Sequence, residues 1–495
     1  MRGLLIVNAN VWGRDDADSV LLVGDRIEAV GREDELRRKA PAVTDVLDAG
    51  GRLLIPGLTD AHMHLLSYAL SKQWLDLKGA RSIEDIKRMV RIEAGRRGPG
   101  AWVLGRGWDQ DKLEDRRMPT KWDLDEVAPR NPVLILRICG HVAAANTRAL
   151  EVLGFTDTTP DPPGGALGRE EGRLNGLLFE AAVDLALKRI PRPGLDETAR
   201  LIRAVLEEAA SYGIVELHSM SASQLEVDAY QAAKYEGAPK VFFYVESLSV
   251  QGPGVVGVKV FMDGSFGART AKLREPYSDD PSNSGRLLMT SGDLAKMASA
   301  AAQRGLQVAV HAIGDGALEE VLKVSAPNVR IEHASLTPPD ILEALASAKV
   351  PVSIQPHFIE NDTWIIDRLG EERGRWVYAF KSLLAAGVSL AASSDAPVEP
   401  LSPWEGVRAA VERGRERELP IWRVSSEEAL SPKEALQLYT RGPLLRGGKP
   451  RSISPGEPAD LVLLSVSDIE EALKRPVTAL LTLINGRVVQ KTLRP

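Results

Sequence analysis

TDAHMHL, residues 59–65, is the strongest local signal in the chain; it follows the apolar run GGRLLIPG at 50–57. In an extended strand, residues two apart point to the same side, so His62 and His64 share a face. Two imidazoles at that spacing can hold one divalent ion at nitrogen–metal distances of about 2.0–2.1 Å. Taken alone, the triplet is equally an ordinary strand end with two hydrogen-bonded histidines. Downstream the ordinary reading loses ground, because ligand-type residues recur at the ends of later apolar runs. VVGVKVFMDG (255–264) offers Lys259 and Asp263, QVAVHAIGD (307–315) offers His311, RIEHAS (330–335) offers His333, and SLAASSDAP (389–397) offers Asp395. Four of the seven histidines sit at such ends.

These runs are strands of one kind. GIVELHS (213–219), VVGVKVFMDG, GLQVAVHAIGD, NVRIEHAS, VPVSIQPH (350–357) and GVSLAASSDAP are short and apolar, and helical stretches such as 291–305, 338–350 and 378–387 separate several of them. Strand, helix, strand at intervals of about 20 to 30 residues predicts right-handed crossovers and a parallel sheet that closes as a (β/α)8 barrel. The C-terminal strand ends of such a barrel converge on one rim, where active sites of this fold lie. The collected ligands therefore belong to one site.

Around the barrel two further pieces are expected. LLIVNANVW, SVLLVGDRIEAVG and GGRLLIPG near the start, and ADLVLLSV and ALLTLINGRVVQ near the end, read as antiparallel hairpins bounded by Gly and Asp. Neither group buries a core alone, so residues 1–55 and 447–495 are predicted to form one small β-sandwich domain, leaving 56–446 to the barrel. Residues 67–200 break the barrel rhythm with Trp74, Trp102, Trp108 and Trp122 and the turn-rich 157–173, and are predicted to be an insertion after the first strand that covers the barrel mouth.

The chain of 495 residues is 44% hydrophobic and 26% charged, which suits a globular protein with a sizeable core. With 62 basic and 68 acidic residues and a formal charge of −6, it has no basic surplus for nucleic acid. Neither a secretory signal nor a membrane span is legible. The single Cys139 cannot form an internal disulfide, which fits a cytoplasmic location. The expected assembly, where there is one, is a homodimer.

Lys259 lies between Val258 and Val260 in an apolar strand, where burial favours the neutral amine. It either snorkels to the rim or pairs with Asp263, or the neutral amine captures carbon dioxide as a carbamate able to bridge two metals. The motifs DAHMH, GVKVFMDGS, VAVHAIGDGA, RIEHA, QPHF and SSDAPVEP, with GRGWDQ, GHVAAANTRAL and PPGGALGREEGRLNGLLFEAA in the insertion and GEPADLVLL at the close, stand in the order of a known family. Over essentially its whole length the chain resembles the amidohydrolase superfamily, in the family 3 branch that includes N-substituted formamide deformylases. That resemblance implies that His62, His64 and Asp395 bind one metal, that His311 and His333 bind a second, and that carboxylated Lys259 bridges them. It also implies Trp108 as pocket wall and Asp109 as polar anchor, although four tryptophans in one insertion are more often core than pocket. Three further histidines are substrate-binding candidates by position: His141, in the insertion, reaches the substrate carbonyl or is a core histidine. His218, on one strand face with Glu216, supports a metal ligand, and His357 lines the pocket or ends a strand.

Imidazole and carboxylate ligands suit zinc best, two ions per chain, with manganese, iron and nickel as alternatives. A divalent ion lowers the pKa of bound water from 15.7 to about 7 and polarises a carbonyl. The expected reaction is hydrolysis of a C–N bond in a small N-acyl or N-formyl amide by metal-activated hydroxide, with Asp395 as proton carrier and Lys259 as catalytic bridge. Deamination, lactone or phosphoester hydrolysis on the same metals, and a metal-free binding barrel, are the competing readings.

Overall fold

The structure is a computed structural model and describes residues 3–137, 142–191, 193–440 and 450–492. Eight parallel strands form the expected barrel: β1 (Leu58–Met63), β2 (Ile214–Ala222), β3 (Lys240–Val245), β4 (Val255–Phe261), β5 (Gln307–Ala312), β6 (Val329–His333), β7 (Val352–Ile354) and β8 (Leu390–Ala392). They pair in sequence order, β1 beside β2 through to β7 beside β8. Every residue of β1, β6, β7 and β8 is buried, which is why these strands read as apolar runs rather than alternating ones. Helices return the chain between strands, among them Ser291–Ala302 before β5 and Pro339–Ala348 before β7.

Closure comes just past the strand ends. Asp395 N–H donates to the His62 carbonyl at 2.7 Å, and His64 N–H donates to the Ala396 carbonyl at 2.8 Å. The first and last strands are thus tied by the backbones of three expected ligands. Strand β3, KVFFYV, is not among the runs singled out in the sequence, although its β-branched and aromatic content fits a strand.

The terminal strands form two sheets. One contains Gly3–Val7, Ser19–Val23, Arg26–Gly31 and Thr44–Asp48; the other joins Asn10–Val11 and Leu53–Pro56 to Leu461–Leu464, Ala479–Ile484 and Arg487–Lys491. Ile6, Val20, Leu22 and Ile27 of the first share a buried cluster with Leu54, Leu461, Leu463 and Leu481 of the second. Not every pairing is antiparallel: Gly3–Val7 runs parallel to Thr44–Asp48.

Residues Ala69–Gly194 form a compact unit of their own. Its six-stranded sheet includes Val103–Trp108, Val133–Arg137 and Arg173–Glu180. Asn146 caps the helix Thr147–Leu153. Its carbonyl accepts from Val133 and Ala149 N–H, and its amide donates to Ala128 and Asn131 carbonyls, so a fully buried side chain uses all its hydrogen-bonding capacity.

Candidate metal centre

The parallel register brings the expected ligands to one end of the barrel. Within that rim, ligand atoms of His62, His333 and Asp395 all lie within 4.8 Å of one another. Asp395 Oδ1 is 3.3 Å from His62 Nε2 and 3.2 Å from His64 Nε2 but hydrogen-bonds to neither. The His62 ring centre is 5.1 Å from that of His333, which in turn is 4.5 Å from that of His311. Lys259, on β4 beside β5, is buried, and its ammonium nitrogen has no hydrogen-bond partner. Buried polar atoms normally find partners. Here an anionic oxygen and an amine are left without any, side by side with four imidazoles.

Each imidazole is tied from behind. His62 Nδ1 is 2.6 Å from Glu332 Oε2, His64 Nδ1 is 3.2 Å from the Met220 carbonyl, and His311 Nε2 is 2.9 Å from the Gly264 carbonyl. His333 Nδ1 is 2.6 Å from Gln355 Oε1, and that amide is oriented by donation to Ser393 Oγ. Carbonyls, the Gln355 oxygen and a carboxylate can only accept, so each of these ring nitrogens carries the proton. The lone pairs left over are on His62 Nε2, His64 Nε2, His311 Nδ1 and His333 Nε2. Outer partners that fix the tautomer in this way are the rule for metal-binding histidines.

The electrostatics agree. Burial, and after it the nearby Lys259 charge, pushes His311 down to about 3, while burial and then His311 hold His333 well below the ordinary range. Burial lowers Lys259 to about 8, so a neutral amine is within reach. Backbone strain falls here too: φ is +75° at His333 and +58° at Asp395. A left-handed backbone at a non-glycine residue costs on the order of 1–3 kcal/mol and persists where surrounding structure over-determines it. The residues present therefore fit a divalent metal site: four imidazoles, one carboxylate and one buried amine.

The other expected residues fall elsewhere. Trp108 is fully buried in the core of the Ala69–Gly194 unit, its indole N–H donating to the Ile135 carbonyl at 3.1 Å; with Ile86, Val103, Leu124 and Ile135 around it, it is packing rather than pocket wall. Asp109 accepts from Arg137 at 2.9 Å within the same unit. His141 lies outside the described residues. Asp263 is no partner for Lys259: its carboxylate accepts from Lys272, Ile313 and Gly314 N–H, tying the loops after β4 and β5 together. His218 is wholly buried inside the barrel, between Glu216 and Arg330. His357 is bonded to Glu399 at 2.5 Å, bridging the loops after β7 and β8.

Sequence reasoning missed Asp60, Arg330, Glu332 and Gln355. Asp60 accepts from Ser394 N–H and hydroxyl and from His62 N–H, and burial pushes it up to about 6. Glu332 forms a buried ion pair with Arg330. The signal that marks Asp60, Arg330 and Glu332 is the one that marks Lys259, a charged residue inside an otherwise apolar strand; Gln355 carries no such mark.

A closed parallel barrel with a histidine and aspartate cluster on its C-terminal rim defines a class of metal-dependent hydrolases. The sequence profile of the amidohydrolase family matches residues 45–490, and the chain belongs to that family. It is 32% identical to the protein YtcJ of Bacillus subtilis (strain 168), over 97% of this chain and 99% of that one. It is 26% identical to the N-substituted formamide deformylase of Arthrobacter pascens, over 98% of each. Among solved structures it is similar to an uncharacterized metal-dependent hydrolase from Pyrococcus horikoshii OT3, with a TM-score of 0.80 and 33% identity over 94% of this chain and 98% of that one.

Proposed function

We propose that this amidohydrolase cleaves the C–N bond of a small N-acyl or N-formyl amide, using two divalent ions, zinc by preference. The observation that carries the reading is the set of four imidazoles, each tied by one nitrogen and open at the other, around the unpartnered Asp395 carboxylate and Lys259 amine. His62, His64 and Asp395 would hold one ion, His311 and His333 the other, and Lys259, carboxylated, would bridge them. When bound, the ions acidify water and polarise the scissile carbonyl.

The chain's own residues supply positioning and proton transfer. Asp395 accepts a proton from the attacking water and passes it to the leaving nitrogen as the C–N bond breaks; such transfer is typically worth about 10²–10⁴ in rate. Its placement is set by Asp60, which anchors the preceding Ser394, and by its own N–H on the His62 carbonyl. The 26% identity to an N-substituted formamide deformylase supports an amide over an ester or phosphoester substrate.

The test is a panel of N-formyl amines, N-acyl amino acids, cyclic amidines and lactones, assayed with zinc-replete and chelator-treated protein. Carboxylate or formate release from amides that vanishes on chelation and returns with zinc is the expected result. Turnover confined to lactones, or ammonia release from amidines alone, would overturn the amide assignment, and metal content below about half an equivalent would overturn the metal site.

A further inference from the structure

The inside of a (β/α)8 barrel is usually filled by layers of branched apolar side chains. This one carries a charged column. Glu332, on the far side of His62, takes Arg330 Nε at 2.5 Å and Nη2 at 3.0 Å. Arg330 Nη1 lies 3.1 Å from both His218 Nδ1 and the Tyr244 hydroxyl. Guanidinium can only donate, so His218 Nδ1 accepts and its proton sits on Nε2, 3.1 Å from Glu216 Oε1. The other Glu216 oxygen takes Arg451 Nη2 at 2.7 Å. Two carboxylates and two guanidiniums balance, with a neutral imidazole between them.

Both arginines also grip the strand that carries His62 and His64. Arg330 Nη2 donates to the Ala61 carbonyl at 2.6 Å, next to His62 itself. Arg451 donates to Thr59 Oγ1 at the start of the same strand, and its own N–H is fixed on the Thr440 carbonyl at 2.7 Å. We propose that Arg330 and Arg451 are positioning residues of the metal centre. They hold β1 and the Glu332 carboxylate in the register that aims His62 Nε2, so that metal affinity is set in part from the C-terminal segment. Burying such a column is costly unless every charge is paired, and here each carboxylate oxygen and each guanidinium meets a partner in the column or on β1. Stability alone would be as well served by apolar side chains.

The inference rests on the metal reading, and its test separates the two. Zinc affinity is measured by chelator competition for wild type, Glu332→Gln, Glu216→Gln and Arg451→Met, with thermal unfolding of each metal-free form alongside. Removing Glu332 should weaken zinc binding by roughly 10–100-fold. Arg451→Met should weaken it about fivefold in protein that is folded, and the double variant with Glu332→Gln should lose less than the two changes added together. Should Arg451→Met fail to fold, Glu216→Gln, nearly isosteric, breaks the same ion pair and reads the same coupling. A lower melting temperature with unchanged zinc affinity in Arg451→Met or Glu216→Gln would overturn the inference. Wild-type protein that binds no zinc would instead overturn the metal reading.

Discussion

Asp395 stands at the point where the reading is most exposed to test. Asp395→Asn keeps the side-chain shape and one metal-binding oxygen but cannot accept a proton, so metal should be largely retained while kcat falls by about 10² or more. Metal analysis alongside kinetics at saturating zinc checks it; near-wild-type kcat would remove Asp395 from proton transfer. For Lys259, whose buried amine lacks a hydrogen-bond partner, Lys259→Ala should abolish activity, and short carboxylic acids should restore part of it by standing in for a carbamate. A third residue gives a pH test. Glu226 is fully buried, accepts from Ser219 Oγ at 2.5 Å, and is raised from 4.5 to about 7 by burial. The folded state therefore holds a proton that the unfolded chain releases between those values. Stability from this group is present below pH 4.5 and is lost as pH rises to about 7, by on the order of 1 kcal/mol per pH unit. Glu226→Gln should flatten that part of the profile, measured by denaturant unfolding at pH 5 and 7.5. At this scale the ligand-type residues were legible because each stands at the end of an apolar strand. Glu332 and Gln355 were not, since a polar residue beside a histidine shows its purpose only when the partner strand, β1 for Glu332 and β6 for Gln355, is in place.

Among the elements, seven of the eight barrel strands are legible as apolar runs, and β3 went unnoticed. Short helices and the parallel pairing of Gly3–Val7 with Thr44–Asp48 were also illegible, because register in the terminal sheets is decided by partners far along the chain. The aromatic content of the insertion pointed to a pocket, whereas Trp108 packs inside a sheet-and-helix core, as a large buried side chain more often does. Two element-scale outcomes follow from that geometry. Trp108→Ala should destabilise the Ala69–Gly194 unit by about 3–5 kcal/mol, read as early protease cleavage within it, rather than shifting preference between substrates. Asn146→Ala strips one helix cap and removes four hydrogen bonds from a buried turn, to the Val133 and Ala149 N–H groups and the Ala128 and Asn131 carbonyls, so it should cost at least about 2 kcal/mol by the same measurement.

At the scale of the molecule, the sequence made the barrel legible because its strands repeat, while the charged interior is a property of the closed ring and of no single strand. The insertion is one continuous stretch with a core of its own, whereas the site is assembled from residues scattered over most of the chain. That difference has a consequence in time. A ribosome delivers the strand that leads into His62 and His64 well before β8, which closes the ring onto it, and before Arg451, which bonds Thr59 across 392 positions of sequence. Domains fold in the order they emerge, and contacts between distant residues form slowly. The nascent chain can therefore complete Ala69–Gly194 while β1 still waits with its inner and outer partners unmade, and the centre comes into being only after Arg451 has emerged.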